Sequence, residues 1–206
     1  MVSVVDEANF DSAAGGSSSE STWVVLKFGG TSVAAASNWE TIAGLVRNRI
    51  AAGLQPVVVH SALQGVSNSL QDLVVRTVDS DVSAELAGIR QQHLQLASEL
   101  ELDGEKILGD DFQELEQLVA GIRLVGEVSV RVRARLMALG ELMATKLGAE
   151  YLSLQGLPIR WVDARDFLNS DSRPGEQRSR DYLSATCDFG PDSAMQEAFR
   201  QDDSVI

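Results

Sequence analysis

The chain has one cysteine, Cys187, and two histidines, His60 and His93. A single thiol closes no internal disulfide, and so few ligands exclude a zinc site built from cysteine and histidine. Positive charge is also scarce: 17 lysines and arginines stand against 30 aspartates and glutamates, a net charge of −13. With no basic surplus to displace counterions, a nucleic-acid backbone is excluded as a partner. A nucleotide is not, because one lysine and a few backbone N–H groups suffice for its phosphates. No apolar run approaches the roughly 18 residues of a membrane span. Residues 1–22 lack lysine and arginine, contain Gly15-Gly16-Ser17-Ser18-Ser19, and so are not expected to be a signal peptide. They read as a disordered acidic tail. A soluble, cytoplasmic protein is expected.

What is present suits a folded domain. Hydrophobic residues make up 44% of the chain, and 206 residues can bury a sizeable core. The folded part is expected over 23–206, opening with the apolar run Trp23-Val24-Val25-Leu26. Ser37 and Glu40 suggest a capping box for a helix running to about Ala52, with Gly53 as its stop. Pro56-Val57-Val58-Val59-His60 is a second buried-type strand. Strand, crossover helix and strand make a βαβ unit, which predicts a parallel sheet.

From about Gly65 to Leu157 the pattern is helical. Leu70, Leu73, Val74 and Val78 mark one helix, and Leu86, Ile89, His93, Leu96 and Leu100 a second. Phe112, Leu115, Val119 and Ile122 mark a third, and a long fourth runs from near Ser129 to Leu154. Pro158 to Asp163 reads as a third strand, Asn169 to Asp181 as a loop, Glu197 to Phe199 as a short helix, and Asp203 to Ile206 as the opening of another strand.

Three groups of residues carry chemistry. Lys27-Phe28-Gly29-Gly30-Thr31-Ser32 delivers a lysine and two glycines from a strand into a helix. Glycines let backbone N–H groups approach an anion, and a helix N-terminus adds its positive dipole end. Lys27 shares a strand face with Trp23 and Val25, so a purely structural role would strand an ammonium beside apolar neighbours. Ser61-Ala62-Leu63-Gln64-Gly65-Val66-Ser67-Asn68 follows the second strand at the same edge of the sheet. An ordinary polar loop capping the next helix would look the same, but that edge is where open α/β sheets bind ligands. Glu141 lies on the fourth helix, with Met137, Ala138, Ala144 and Thr145 three and four residues away and no basic partner among them. Beside it Gly140, Ala144 and Gly148 leave room for a close approach. His93 reads as a core histidine, Cys187 as a structural thiol, and Arg131, Arg133 and Arg135 as a solvated face with Glu127 paired to Arg131.

These segments together resemble the aspartate kinases of the amino-acid kinase family. The resemblance rests on the Lys27–Ser32 hexapeptide, the Ser61-Ala62 turn with Gly65-Val66-Ser67-Asn68, and Gly140-Glu141. It implies an α/β fold, a parallel-sheet α/β/α sandwich of amino-acid kinase type, of which this chain is the N-terminal half with a helical insertion. It implies transfer of the γ-phosphoryl of ATP, with Mg²⁺, to the side-chain carboxylate of L-aspartate. Lys27, Gly29, Gly30 and Ser32 would serve the phosphoryl group. Ser61, Ala62, Ser67, Glu141 and Asp188 would serve the acceptor, with Glu141 holding its α-ammonium. Asp163-Ala164-Arg165 matches an Asp-x-Arg turn of the family. Ser184 stands where some members carry an arginine for the substrate carboxylate, so Arg173, Arg178 or Arg180 is left to supply that clamp. A homo-oligomer is expected. The resemblance further implies a chain that ends before the nucleotide-binding half, is inactive alone, and belongs to a larger or bifunctional parent. A glutamate or N-acetylglutamate kinase, or a non-catalytic dimerisation module, are the alternatives.

Overall fold

The computed structural model describes residues 23–167, 190, 193–199 and 206. Strand β1, Trp23–Phe28, alternates as expected of a sheet with one packed face: Leu26 and Phe28 are buried, while Val25 and Lys27 are exposed. One helical turn, α1 (Gly30–Val33), precedes α2 (Ala36–Ala51). The expected capping box is not formed. Ala35, in extended conformation, is the N-cap of α2 and makes no side-chain cap bond, so Ser37 lies inside the helix. The stop is as expected: Gly53 has φ +78, its N–H donates to the Ile50 carbonyl at 2.9 Å, and Leu54 N–H donates to the Arg49 carbonyl at 3.0 Å. This is the bond pair of a glycine-ended helix.

Strand β2, Gln55–His60, lies parallel to β1 with Leu26 opposite Val58 and Phe28 opposite His60. Among the described residues the sheet has these two strands. The segment expected as a third strand pairs elsewhere. Ile206 N–H donates to the Arg160 carbonyl at 2.9 Å, and Val162 N–H donates to the Ile206 carbonyl at 2.8 Å.

Four helices follow: α3 (Val66–Arg76), α4 (Ser83–Glu99), α5 (Gly104–Val125) and α6 (Val130–Leu154). Asp103 caps α5 by accepting from Lys106 N–H at 3.1 Å, and Ser129 caps α6 by accepting from Val132 N–H at 3.2 Å. Helix α6 packs against α3, α4 and α5 and buries Leu136, Leu139, Met143, Leu147 and Leu152. Its basic end is largely the expected solvated face, with Arg131 and Arg135 exposed and Arg133 half-buried, but two of the three arginines reach neighbouring helices. Arg135 pairs with Glu114 of α5 and Arg133 donates to Gln71 of α3, whereas Glu127 falls before α6 begins and so cannot form an intrahelical pair with Arg131. The remaining described elements are a short 3₁₀ turn, Ala164–Asp166, and α7, Ser193–Phe199, whose Phe199 ring lies 6.0 Å from that of Trp23. No helix among the described residues is long and apolar enough to cross a membrane.

Candidate active site

Because β1 and β2 are parallel and in register, they end side by side at Phe28 and His60. Their following loops therefore emerge together. Ser61 N–H donates to the Phe28 carbonyl at 3.3 Å, and Gly30 touches the second loop so closely that a Cβ there would lie 2.7 Å from the Ala62 carbonyl oxygen and 3.3 Å from the Gln64 nitrogen. From the other side, a Cβ on Gly140 of α6 would lie 3.0 Å from the Ala62 Cβ and 3.1 Å from Leu70 Cδ1. Ala62 itself is buried. Three segments singled out in the sequence thus meet at one residue; the approach of Gly30, against backbone, requires glycine, while a Cβ at Gly140 would press on side-chain atoms that would have to give by a few tenths of an ångström. Glu141 follows Gly140 and is half-buried, and its carboxylate has no hydrogen bond or ion pair among the described residues.

The other expected site residues are placed less tightly. Lys27 is exposed, on a sheet face where Val25 is 62% and Val59 45% exposed. An ammonium on this open face is readily solvated, so the penalty expected from apolar strand neighbours does not arise. What distinguishes Lys27 is its place two residues before Gly29. Gly29 is extended, at φ −82, and a Cβ added there would meet nothing within 4 Å; of the two glycines, packing requires only Gly30. Ser32 is half-buried, with its N–H bonded to the Gly29 carbonyl at 2.9 Å. Since α1 is a single turn, the expected helix-dipole contribution is small. Ser61 is half-buried beside Gly30, while Ser67 is exposed in the first turn of α3. Asp188 lies outside the described residues, as do Ser184, Cys187 and the three arginines considered for the carboxylate clamp.

A supporting layer sits behind Glu141. Thr145 Oγ1 donates to the Glu141 carbonyl at 2.8 Å and accepts from Trp161 Nε1 at 3.0 Å. Lys146 Nζ lies 2.8 and 2.7 Å from the two carboxylate oxygens of buried Asp111, and 5.2 Å from the Trp161 ring centroid. Asp163 closes the Asp-x-Arg turn on itself: its carboxylate accepts Arg165 N–H at 2.9 Å and the guanidinium at 2.6 to 3.1 Å. The side-chain hydrogen bonds from Arg165 hold the Asp163 carboxyl below its ordinary range. His93 is buried, with Nδ1 2.8 Å from the Ile89 carbonyl oxygen, a core histidine as expected.

His60 was not singled out by sequence reasoning. It is buried, its Nδ1 is 3.0 Å from the Ser61 carbonyl oxygen, and burial lowers its pKa to about 4. The available signal was a polar residue closing an otherwise apolar strand immediately before the serine turn.

The sequence pattern of the amino acid kinase family matches residues 22–190. The chain belongs to the amino acid kinase family. The chloroplastic aspartokinase 1 of Arabidopsis thaliana is 34% identical over 160 residues, covering 71% of this chain and 28% of the relative. The structure of E. coli aspartokinase III in complex with aspartate and ADP (R-state) matches with a TM-score of 0.69 and 24% identity, over 87% of this chain and 39% of that one. The same enzyme in complex with lysine and aspartate (T-state) gives 0.64 at 25% identity with the same coverage. This amino acid kinase chain therefore spans less than half the length of these relatives. The fold class expected from sequence, α/β with parallel strands and abundant helix, is that of the family.

Proposed function

We propose that this chain forms the acceptor-binding part of an aspartate kinase that transfers the γ-phosphoryl group of ATP to the side-chain carboxylate of L-aspartate. The observation that carries this reading is the meeting of the Lys27–Ser32 loop, the Ser61–Gly65 turn and the Gly140-Glu141 helix at Ala62. Similarity to aspartokinases supports the choice of acceptor.

Phosphoryl transfer needs positioning and charge stabilisation more than covalent chemistry. In this reading Lys27 neutralises charge on the phosphoryl oxygens. Gly29 and Gly30 admit those oxygens close to the backbone, and Ser32 lies at the phosphate end. Ser61, Ala62 and Ser67 line the acceptor side, with Asp188 completing it. The Glu141 carboxylate faces the α-ammonium of aspartate, each charge offsetting the other's desolvation. Among the described residues no group of three acidic, histidine or cysteine side chains is placed to hold a metal; Mg²⁺ enters this reading as the ion carried by ATP. A cytoplasmic homo-oligomer completes the proposal, with exposed Leu124 and Val125 on α5 as apolar surface for self-association.

The test measures ADP release by the whole polypeptide that carries this chain, with L-aspartate, L-glutamate and N-acetyl-L-glutamate as acceptors. Aspartate alone is expected to support turnover, and Lys27→Ala should lower it about 10²–10³-fold with little change in aspartate half-saturation. Turnover with glutamate or its acetyl derivative would reassign the acceptor. Near-normal turnover in the lysine variant would return Lys27 to an ordinary solvated strand position.

A further inference from the structure

His60 occupies a position where an apolar residue would pack without difficulty. It is 5% exposed, its ring meets Trp39 edge-on at 5.5 Å, and its Nε2 has no hydrogen-bond partner among the described residues. Helix α6 backs the ring at Gly148, where a Cβ would come within 3.0 Å of Nε2 and 2.3 Å of the Trp39 ring. The imidazole is therefore fixed in place between Trp39 and the α6 backbone. An apolar side chain would fill this space without burying an unpaired nitrogen. What the imidazole adds is the contact of Nδ1 with the Ser61 carbonyl oxygen at 3.0 Å. A carbonyl only accepts, so Nδ1 carries the proton.

A peptide unit is planar and trans, so fixing a carbonyl fixes the following N–H in the opposite direction. Here the following N–H is that of Ala62, which donates to no backbone acceptor among the described residues. It belongs to the residue where the glycine loop and α6 meet. We propose that His60 is a positioning residue: by holding the Ser61 carbonyl it aims the Ala62 N–H at the transferring phosphoryl group. The identity of that target rests on the aspartate kinase reading; the orientation of the peptide does not.

Two measurements test this. Nitrogen-15 spectroscopy of the unaltered protein reports the His60 tautomer; the Nδ1–H form is expected, and the Nε2–H form overturns the proposal. The second compares His60→Asn, whose amide nitrogen replaces Nδ1, with His60→Gln, whose amide nitrogen replaces Nε2. Amide exchange over residues 61–65 should be about tenfold or more faster in the glutamine variant than in the asparagine variant, with α6 amides alike in both. Turnover with aspartate should fall about tenfold to a hundredfold in His60→Gln and stay within about threefold in His60→Asn, at unchanged aspartate half-saturation. Equal exchange in the two variants overturns the proposal; if both fail to fold, the tautomer decides it. Should the exchange difference appear while even the unaltered protein phosphorylates no aspartate, the positioning role stands and the kinase reading fails.

Discussion

Replacing Gly30 by alanine probes whether the contact between the two loops is part of the working site. The added methyl would sit 2.7 Å from the Ala62 carbonyl oxygen, 3.3 Å from the Gln64 nitrogen and 3.4 Å from Ser61 Oγ. Carbon and carbonyl oxygen settle at about 3.3 Å or more, so one loop must move by roughly 0.6 Å. The obstruction is backbone, tied to β1 through the Ser61–Phe28 bond, and cannot swing aside like a side-chain end. Gly30 opens α1 without a left-handed backbone, so alanine regains up to about 1 kcal/mol of helix propensity. Overpacking takes back about 1–3 kcal/mol. The net destabilisation is about 0–3 kcal/mol, a fall in melting temperature of at most about 12 °C for a chain of this size. Turnover should suffer far more, since a displacement approaching 1 Å costs about 10²-fold. Thermal melting and ADP release, measured together, separate the two effects. Gly44→Ala on α2, where nothing lies within 4 Å, is the control and should stabilise by about 1 kcal/mol. Turnover of Gly30→Ala within about twofold of the unaltered protein, or a loss accounted for entirely by unfolding, would refute the reasoning.

Three further outcomes are expected. Glu141→Gln keeps the shape but removes the charge, and should raise the aspartate half-saturation by about thirtyfold or more while the melting temperature holds; an unchanged half-saturation in steady-state kinetics would make Glu141 a solvated helix residue. Burial lowers the His60 pKa from 6.5 to about 4 and shifts His93 in the same direction. The unfolded chain therefore takes up these protons first as pH falls: stability is full above 6.5 and declines toward 4, with His60 alone accounting for about 3 kcal/mol. Urea midpoints of the unaltered protein and His60→Asn should converge across that window; a pH-independent gap contradicts the assignment. Glu101 ends α4 in the left-handed region at φ 59, with Leu102 N–H bonded to the Ala97 carbonyl at 2.8 Å. Glu101→Gly should stabilise the chain by about 1 kcal/mol in calorimetry, and a lower melting temperature would show that the glutamate side chain contributes more than its backbone strain removes.

Local order alone determined much of this protein. The 3.6-residue spacing of Leu86, Ile89, His93 and Leu96 marks α4, and that of Phe112, Leu115, Val119 and Ile122 marks α5, because a helix must bury one stripe whatever it packs against. Ser129 and Gly53 mark helix ends because caps satisfy backbone groups within a few residues. The lysine–glycine loop, the serine turn and the Gly-Glu pair were readable one at a time, since each is a short contiguous segment. Tertiary structure decided how they combine. Ser37 and Glu40 have capping-box spacing, but the chain turns at Ala35, so the pair lies inside α2. Alternation along β1 separated Lys27 from Phe28 yet could not say which face is covered; packing buries Phe28 and leaves Lys27 in the open. The pairing of Lys146 with Asp111, 35 residues apart, follows from α5 lying against α6. The meeting of Gly30 and Gly140 at Ala62, and the capture of the Ser61 carbonyl by His60 beneath Trp39 and Gly148, depend on contacts between distant segments. Local sequence sets backbone preference and amphipathic period over a few residues, whereas a site built at the convergence of two strand ends and a helix exists only once the chain has brought them together.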